Sequence, residues 1–407
     1  MTLDEAKALD ASDPLAEMRA RFSLPDGVIY LDGNSLGALP RVTGAAIAAV
    51  VERQWGDDLI TSWNRHGWID APFTLGAKLA PLIGARADEV LVCDSTSVNL
   101  FKLLAAALAA QPERCVILTE RGNFPTDLYI AQGLARMMPG VEIHAVDRAE
   151  IPAALDDRVA VMMLTHVDYC SGTRHDMAAL SAAAHSVGAL SLWDLSHSAG
   201  ALDIQLDACG ADLAVGCGYK YLNGGPGAPA YLYVAAALQD RLNSPLTGWM
   251  GHDAPFAFDA DYRPAPGIAR FLAGTPPIIA MAALSAGLDS FDGVAMREIE
   301  AKAASLGDFF IACVEAFCPT LALASPRDAV MRGSHVSFRH PGAYAVMQAL
   351  IERGVIGDVR MPDLIRFGFA PLYNSHDEAY RAAGLLGDIL DNGVWDDPRY
   401  KRQSKVI

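Results

Sequence analysis

Basic residues are scarce in this chain. Lys and Arg number 32 against 48 Asp and Glu in 407 residues, a net charge of −16. No basic run is present, so neither nucleic acid nor an anionic membrane surface is expected as a partner. Cysteines are few and badly matched to a disulfide frame. There are seven, Cys93, Cys115, Cys170, Cys209, Cys217, Cys313 and Cys318, an odd number with no CxxC spacing. They read as reduced core residues of a cytoplasmic protein. Long apolar runs are missing too. The longest aliphatic stretch, Leu103 to Ala110, is far too short to span a bilayer. The N-terminal MTLDEAKALDASD carries acids and no apolar core, so no signal peptide is expected. Asp194 and His197 could serve as metal ligands, but no third ligand of suitable spacing is visible, so no metal is expected. Repeats and low-complexity tracts are absent.

What remains is an ordinary folded composition, 52% hydrophobic and 20% charged, long enough for two domains. Residues 4–22 read as a helix, 28–31 as a short strand and 41–54 as a helix. From residue 72 apolar strands alternate with helices. The strands are VLVCDST at 90–96, CVILTE at 115–120, VEIHAVD at 141–147, VAVMMLTHVD at 159–168, ALSLWDLSHS at 189–198, ADLAVGCG from 211 and APAYLYV at 228–234. Unbroken apolar strands between helices predict an α/β fold with a mostly parallel sheet covered on both faces. Ligands bind such sheets beyond the carboxyl ends of the strands. Four polar tails fall there: Asp94–Ser97, Thr165–Asp168, Asp194–His197 and Gly218–Lys220. Residues 235–289, rich in Pro, Gly and aromatics, read as a long loop region at a functional site or subunit contact. Beyond 291 the pattern is a small α+β domain, with helices at 291–316, 342–353 and 376–391 and strand-like HVSFRHP, VIGDVR and LIRFGFAP.

The stretch GCGYKYLNGGPG, 216–227, places Lys220 between two tyrosines among glycines, just after a buried strand. Alone it is a glycine-rich loop with a solvated lysine, or a Schiff-base lysine. A pyridoxal phosphate site needs such a lysine, an acid at the pyridine nitrogen, a phosphate cradle, an aromatic face and a carboxylate anchor. Asp194 ends a strand and suits the ring nitrogen, or is a turn aspartate. His197 would steady Asp194 or the ring, or be structural. Thr96 and Ser97 sit at a strand-to-helix junction and suit phosphate, or Ser97 is a simple N-cap. Phe124 would lie on the ring, or be a staple residue before a helix. Tyr219 would reach the phosphate or relay a proton. Arg366, inside an apolar strand, needs an anion: a substrate carboxylate, or an internal salt bridge, of which the first is preferred. Trp63, His66 and Trp68 in TSWNRHGWID form a substrate lip or a loop capping the core.

Taken together, YLDGNSLG near the N-terminus, STS before a helix, NFPTD, WDLSHSAG, GCGYKYLNGGPG, GW at 248–249, GTPPI and IRFGFAPLYN resemble the kynureninase family nearly end to end. The resemblance implies a fold-type I pyridoxal 5′-phosphate enzyme of tryptophan catabolism, with a seven-stranded large domain at 61–290, a small α+β domain at 291–407, and residues 1–60 joining the small domain. It implies hydrolytic cleavage of L-kynurenine to anthranilate and L-alanine, with 3-hydroxykynurenine as a second substrate. It carries over Lys220 as the imine lysine, Asp194 and His197 at the ring, Thr96 and Ser97 at the phosphate, Phe124, Pro125, Thr126 and Asp127 around the ring, and Thr165 near its oxygen. Tyr219 becomes the phosphate-contacting, proton-relaying tyrosine and Arg366 the carboxylate anchor. Trp249 and Thr275 become phosphate contacts across a homodimer interface; some relatives have asparagine at the latter position. A cysteine desulfurase or class V aminotransferase is the alternative enzyme on this scaffold, and a non-catalytic cofactor-binding module the alternative of another class. A desulfurase needs a mobile cysteine in a small-domain loop, and none follows Cys318.

Overall fold

The computed structural model describes residues 1–402. Seven strands form the large sheet, in the spatial order Val90–Val92, Ala230–Val234, Leu213–Cys217, Leu190–Asp194, Val159–Thr165, Val116–Glu120, Glu142–Val146. Ala230–Val234 runs antiparallel to both neighbours and every other pairing is parallel. The apolar strands are continuous because both faces are covered. Met162 and Leu164 join one apolar cluster while Val161 and Met163 join the other, the period of two expected of a buried strand. Register aligns the strand ends: Thr165 pairs with Asp194 and Asp194 with Val215. The polar tails therefore emerge along one edge of the sheet, as the chain pattern predicts.

A second sheet of four antiparallel strands has the order Ala322–Leu323, His335–Arg339, Leu364–Gly368, Asp358–Arg360. Helices Met296–Phe317, Ala343–Glu352 and His376–Asp391 pack with it around a separate apolar cluster. The N-terminal segment serves both regions. Ile29–Tyr30 pairs in parallel with Val355–Ile356, and Asp32 bridges to Gly368. Leu15, Phe22 and Ala38 instead join the cluster of the large sheet.

Three expectations need correction. The helix expected over 4–22 is Leu3–Ala11 followed by a 3-10 turn at Ala16–Arg21. Pro14 lies between them; its ring lacks the N–H a continuous helix would need. Residues 235–289 are not loop throughout, since Ile278–Asp289 is a helix with apolar residues on nearly every side. That all-round apolarity hid its period, because the helix is wedged between other elements rather than laid on a surface. TSWNRHGWID is a chain of short helical turns, Leu59–Thr61, Ser62–Arg65 and Trp68–Asp70, not an aperiodic loop. Among the described residues no helix is long and apolar enough to cross a membrane.

Candidate active site

Lys220 lies three residues beyond the strand Leu213–Cys217, in a loop closed by its own backbone. Asn223 N–H donates to Lys220 O at 2.9 Å and Gly224 N–H to Gly218 O at 2.9 Å. Gly225 and Gly227 both have φ of +79°, a left-handed backbone that side chains disfavour. The YLDGNSLG motif clamps this loop from outside. Gly37 N–H donates to Tyr219 O at 2.8 Å, and a Cβ on Gly37 would sit 2.3 Å from Lys220 O. Only glycine allows that approach.

The loop opens on a cavity of ≈ 330 Å³. Into it project Tyr219 and Lys220, then Asp194, Ser196 and His197 from the next strand end, and Thr165 from the one beyond. Ser95, Thr96 and Ser97 close one side, and Phe124, Thr126 and Asp127 another. Lys220 Nζ stands 2.9 Å from His197 Nε2. Burial lowers the pKa of Lys220, aided by the charges of Arg366 and Arg360 and opposed by Cys217 and Asp194. Burial first, then Lys220, pushes His197 well below its ordinary value. His197 is therefore neutral and accepts the lysine N–H. Its Nδ1 has no partner among the described residues.

Asp194 is 3% exposed and accepts from Ser196 N–H at 2.7 Å. No cation pairs with it among the described residues, and burial raises its pKa. Asp127 is likewise buried and raised, by burial and then by Asp194; the Thr165 hydroxyl donates to it at 3.3 Å. Thr165 also bonds Asn123 Oδ1. Tyr219 is pushed up, mainly by burial, so its phenol keeps its proton. Ser95, not Ser97, caps the helix Thr96–Ala110, accepting from Val98 N–H at 3.4 Å. Thr96 and Ser97 are the first helical residues, and their N–H groups and hydroxyls stay free for an anion. Phe124 precedes the helix Pro125–Met137 and meets Tyr169 edge to face at 5.2 Å.

This donor set fits pyridoxal phosphate at each end. A buried carboxylate without a cation suits a protonated ring nitrogen. A helix start with two hydroxyls suits the phosphate. A lysine of lowered pKa beside a neutral imidazole suits the aldehyde carbon.

Other expected residues lie elsewhere. Pro125 is the first residue of its helix and does not line the cavity. Trp63 meets Trp68 at 6.0 Å, and His66 pairs with Asp58 at 2.7 Å; neither lines the cavity. Trp249 stacks edge to face on Phe256 at 5.6 Å, and Thr275 is exposed; both lie outside it. Arg366 does not line the cavity either, and it already has an internal partner. Its fork is engaged by Asp358, with Nε 2.7 Å from Oδ1 and Nη2 bonded to Oδ2. The anion it requires is supplied by its own sheet, because Asp358 stands directly opposite in register. The internal salt bridge, the less favoured reading, is present.

Sequence reasoning gave Ser95 and Ser196 only as members of polar tails, and missed Cys217 in the lining and the Asp358–Arg360 pair that engages Arg366. For that pair a signal existed. In VIGDVR the charges alternate with Val359, which puts Asp358 and Arg360 on one strand face.

Comparison with known proteins agrees with this geometry. A family model described as the kynureninase C-terminal domain matches residues 299–386. A kynureninase from Pseudomonas fluorescens is 52% identical over all of this chain and 99% of its own. A kynureninase from Burkholderia mallei (strain SAVP1) is 52% identical with the same coverage. Among solved structures, the apo cysteine desulfurase of Thermococcus onnurineus NA1 superposes with a TM-score of 0.79 at 19% identity, covering 92% of this chain and 98% of that one. A C-DES variant with glycine linked to its PLP cofactor gives 0.77 at 19% identity, covering 90% of this chain and 98% of that one. At such identities the structural likeness speaks for the fold, fold-type I, alone.

Proposed function

We propose a division of labour at this site from one premise: the chain belongs to the kynureninase family. It is a hydrolase that cleaves the Cβ–Cγ bond of L-kynurenine, releasing anthranilate and L-alanine, and its cofactor is pyridoxal 5′-phosphate. When bound, that cofactor supplies an electron sink for the charge that develops beside the substrate's amino group.

The residues divide the remaining tasks. Asp194 holds the ring nitrogen protonated, and the resulting ion pair supplies the cation this buried carboxylate lacks. Thr96 and Ser97 hold the phosphate, while Phe124, Thr126, Asp127 and Thr165 confine the ring. Lys220 removes the proton from Cα; its lowered pKa brings it towards the range where a base works near neutrality. His197, 2.9 Å away and kept neutral by burial, orients the amine by accepting its N–H. Water adds to the aryl ketone, and Tyr219, kept protonated, donates to Cβ as the Cβ–Cγ bond breaks and anthranilate departs. Arg366 contributes to holding the substrate carboxylate.

Homodimer formation belongs to the same proposal, with Trp249, Thr275, Trp63 and His66 contributing across the interface. It is supported by the exposure of Trp249, Phe256 and Phe258 in a contiguous aromatic run. So does the division into lobes at 61–290 and 291–407 with 1–60 joining the small lobe; the separate apolar clusters support the two lobes, and Ala6, Ile29 and Leu31 support the joining, while Leu15, Phe22 and Ala38 pack with the large sheet. Cytoplasmic residence is supported by the seven free cysteines. The desulfurase alternative is disfavoured, since Cys313 and Cys318 are buried rather than in a mobile loop.

The observation that carries the mechanism is the Lys220–His197 contact inside a cavity walled by Asp194. The test is incubation of the yellow purified protein with L-kynurenine. Release of fluorescent anthranilate is expected; sulfur release from cysteine without anthranilate would overturn the reading.

A further inference from the structure

Three imidazole nitrogens are buried at one place beside the cavity with no partner among the described residues: His197 Nδ1, His335 Nδ1 and His335 Nε2. His335 is fully buried and opens the strand His335–Arg339 of the small sheet. Its ring meets that of His197 edge to face, at 5.4 Å between centroids. The contact therefore joins the small sheet to the loop after Leu190–Asp194. Gly172 packs against the same ring, since a Cβ there would stand 3.3 Å from His335 Nε2 and Cδ2. His335 does not line the cavity, so it acts on the chemistry only through His197.

Burial first, then Arg366, holds His335 well below its ordinary pKa, so this imidazole is neutral too; Asp358 opposes the shift, and Arg360 and Lys220 add to it. A neutral imidazole has one N–H and one lone-pair nitrogen. At His197 the roles are set by Lys220. Nε2 accepts the lysine N–H at 2.9 Å, so the ring proton stands on Nδ1. With the proton on Nε2 instead, the ring would oppose a protonated Lys220. What holds the first tautomer is an acceptor for the Nδ1–H. Of the titratable groups felt at His197, Lys220 is already on Nε2, and Arg366 and Arg360 have no lone pair; His335 has one. Once each ring turns a nitrogen to the other, two imidazoles with centroids 5.4 Å apart bring those nitrogens to about 3 Å, hydrogen-bond distance.

We propose that His335 is a positioning residue: its lone-pair nitrogen takes the Nδ1–H of His197 and so fixes the tautomer whose Nε2 accepts from Lys220. Its bearing on the reaction rests on the reading of Lys220 as the base. The test compares the parent with His335→Gln, which keeps an acceptor, and with His335→Leu, which has none. Folding is checked by thermal melting, and His335→Phe takes the place of a leucine variant that melts early. In the cofactor-free protein the pKa of Lys220 is read from the pH dependence of its labelling by acetic anhydride, with peptide mapping. The Nε2 lone pair favours the ammonium form of Lys220. His335→Leu should therefore lower that pKa by about one unit, the tenfold worth of one charge-assisted hydrogen bond, and His335→Gln should stay near the parent. In the holoenzymes the acid limb of kcat for L-kynurenine should move to lower pH with it, and kcat should fall about tenfold in the apolar variant alone. An unchanged Lys220 pKa in the apolar variant, or an equal shift in His335→Gln, would overturn the proposal. Failure of the base reading shows separately, as a parent kcat limb that does not follow the labelled pKa.

Discussion

Two sets of buried carboxylates lie on either side of Lys220, and they are partnered in opposite ways. Asp194, at a strand end of the large sheet, and Asp127, in the first turn of the helix Pro125–Met137, have backbone or hydroxyl donors and no ion-pair partner among the described residues. Asp358, in the small sheet, is gripped by both Arg360 and Arg366. Burial desolvates all three. It wins at Asp194 and Asp127, whose pKa values rise; it loses at Asp358, where the guanidiniums hold the carboxyl below its ordinary value. The difference separates chemistry from scaffold. A buried charge left without its counter-ion marks where a ligand will supply one, and a buried charge already matched marks a structural joint.

The largest expected effect is at the centre of the unmatched side. Lys220→Ala should lower anthranilate release on the order of 10⁴-fold, measured by fluorescence, with little change in melting temperature. Asp358→Ala should do the opposite. It removes the carboxylate that Arg360 and Arg366 share, leaving only Asp32 to oppose them, and should destabilise the fold by about 3–5 kcal/mol, read by denaturant unfolding. Asp194→Asn sharpens the contrast: activity should fall on the order of 10²-fold, while the cofactor-free protein stays at least as stable as the parent. A destabilised Asp194→Asn protein would break the comparison.

The two acids should also differ in the sign of their pH dependence. The folded pKa of Asp358 is depressed, so its contribution is present above the unfolded value of ~3.9 and is lost as pH falls through the folded pKa. The folded pKa of Asp194 is raised, so the cofactor-free fold loses stability as pH rises from ~3.9 through that value. Melting temperature against pH should therefore flatten on the acid side in Asp358→Asn and show a shallower alkaline-going decline in Asp194→Asn, where Asp127 remains. The smallest effect is expected for the exposed Arg339–Asp363 pair, where Arg339→Ala should change stability by no more than about 0.5 kcal/mol.

The large sheet was legible because its strands are buried on both faces and so read as unbroken apolar runs. The cavity was legible because four polar tails end those strands. Arg366 shows the limit. That a buried arginine requires an anion follows from physical chemistry, but which anion depends on register, and Asp358 sits opposite it only once the hairpin is closed. Ile278–Asp289 escaped because a helix apolar on nearly every side has no period to read. Trp63, His66, Trp249 and Thr275 lie outside the cavity, since chain pattern alone does not say which aromatic and polar loop residues the fold turns towards it.

The central claim, that Lys220 carries the cofactor in the cavity closed by Asp194 and His197, is tested most directly by borohydride reduction of the holoenzyme and peptide mapping. The account predicts a single cofactor adduct, on the peptide containing Lys220, and loss of the adduct in Lys220→Ala. An adduct on any other lysine of the parent protein would contradict it.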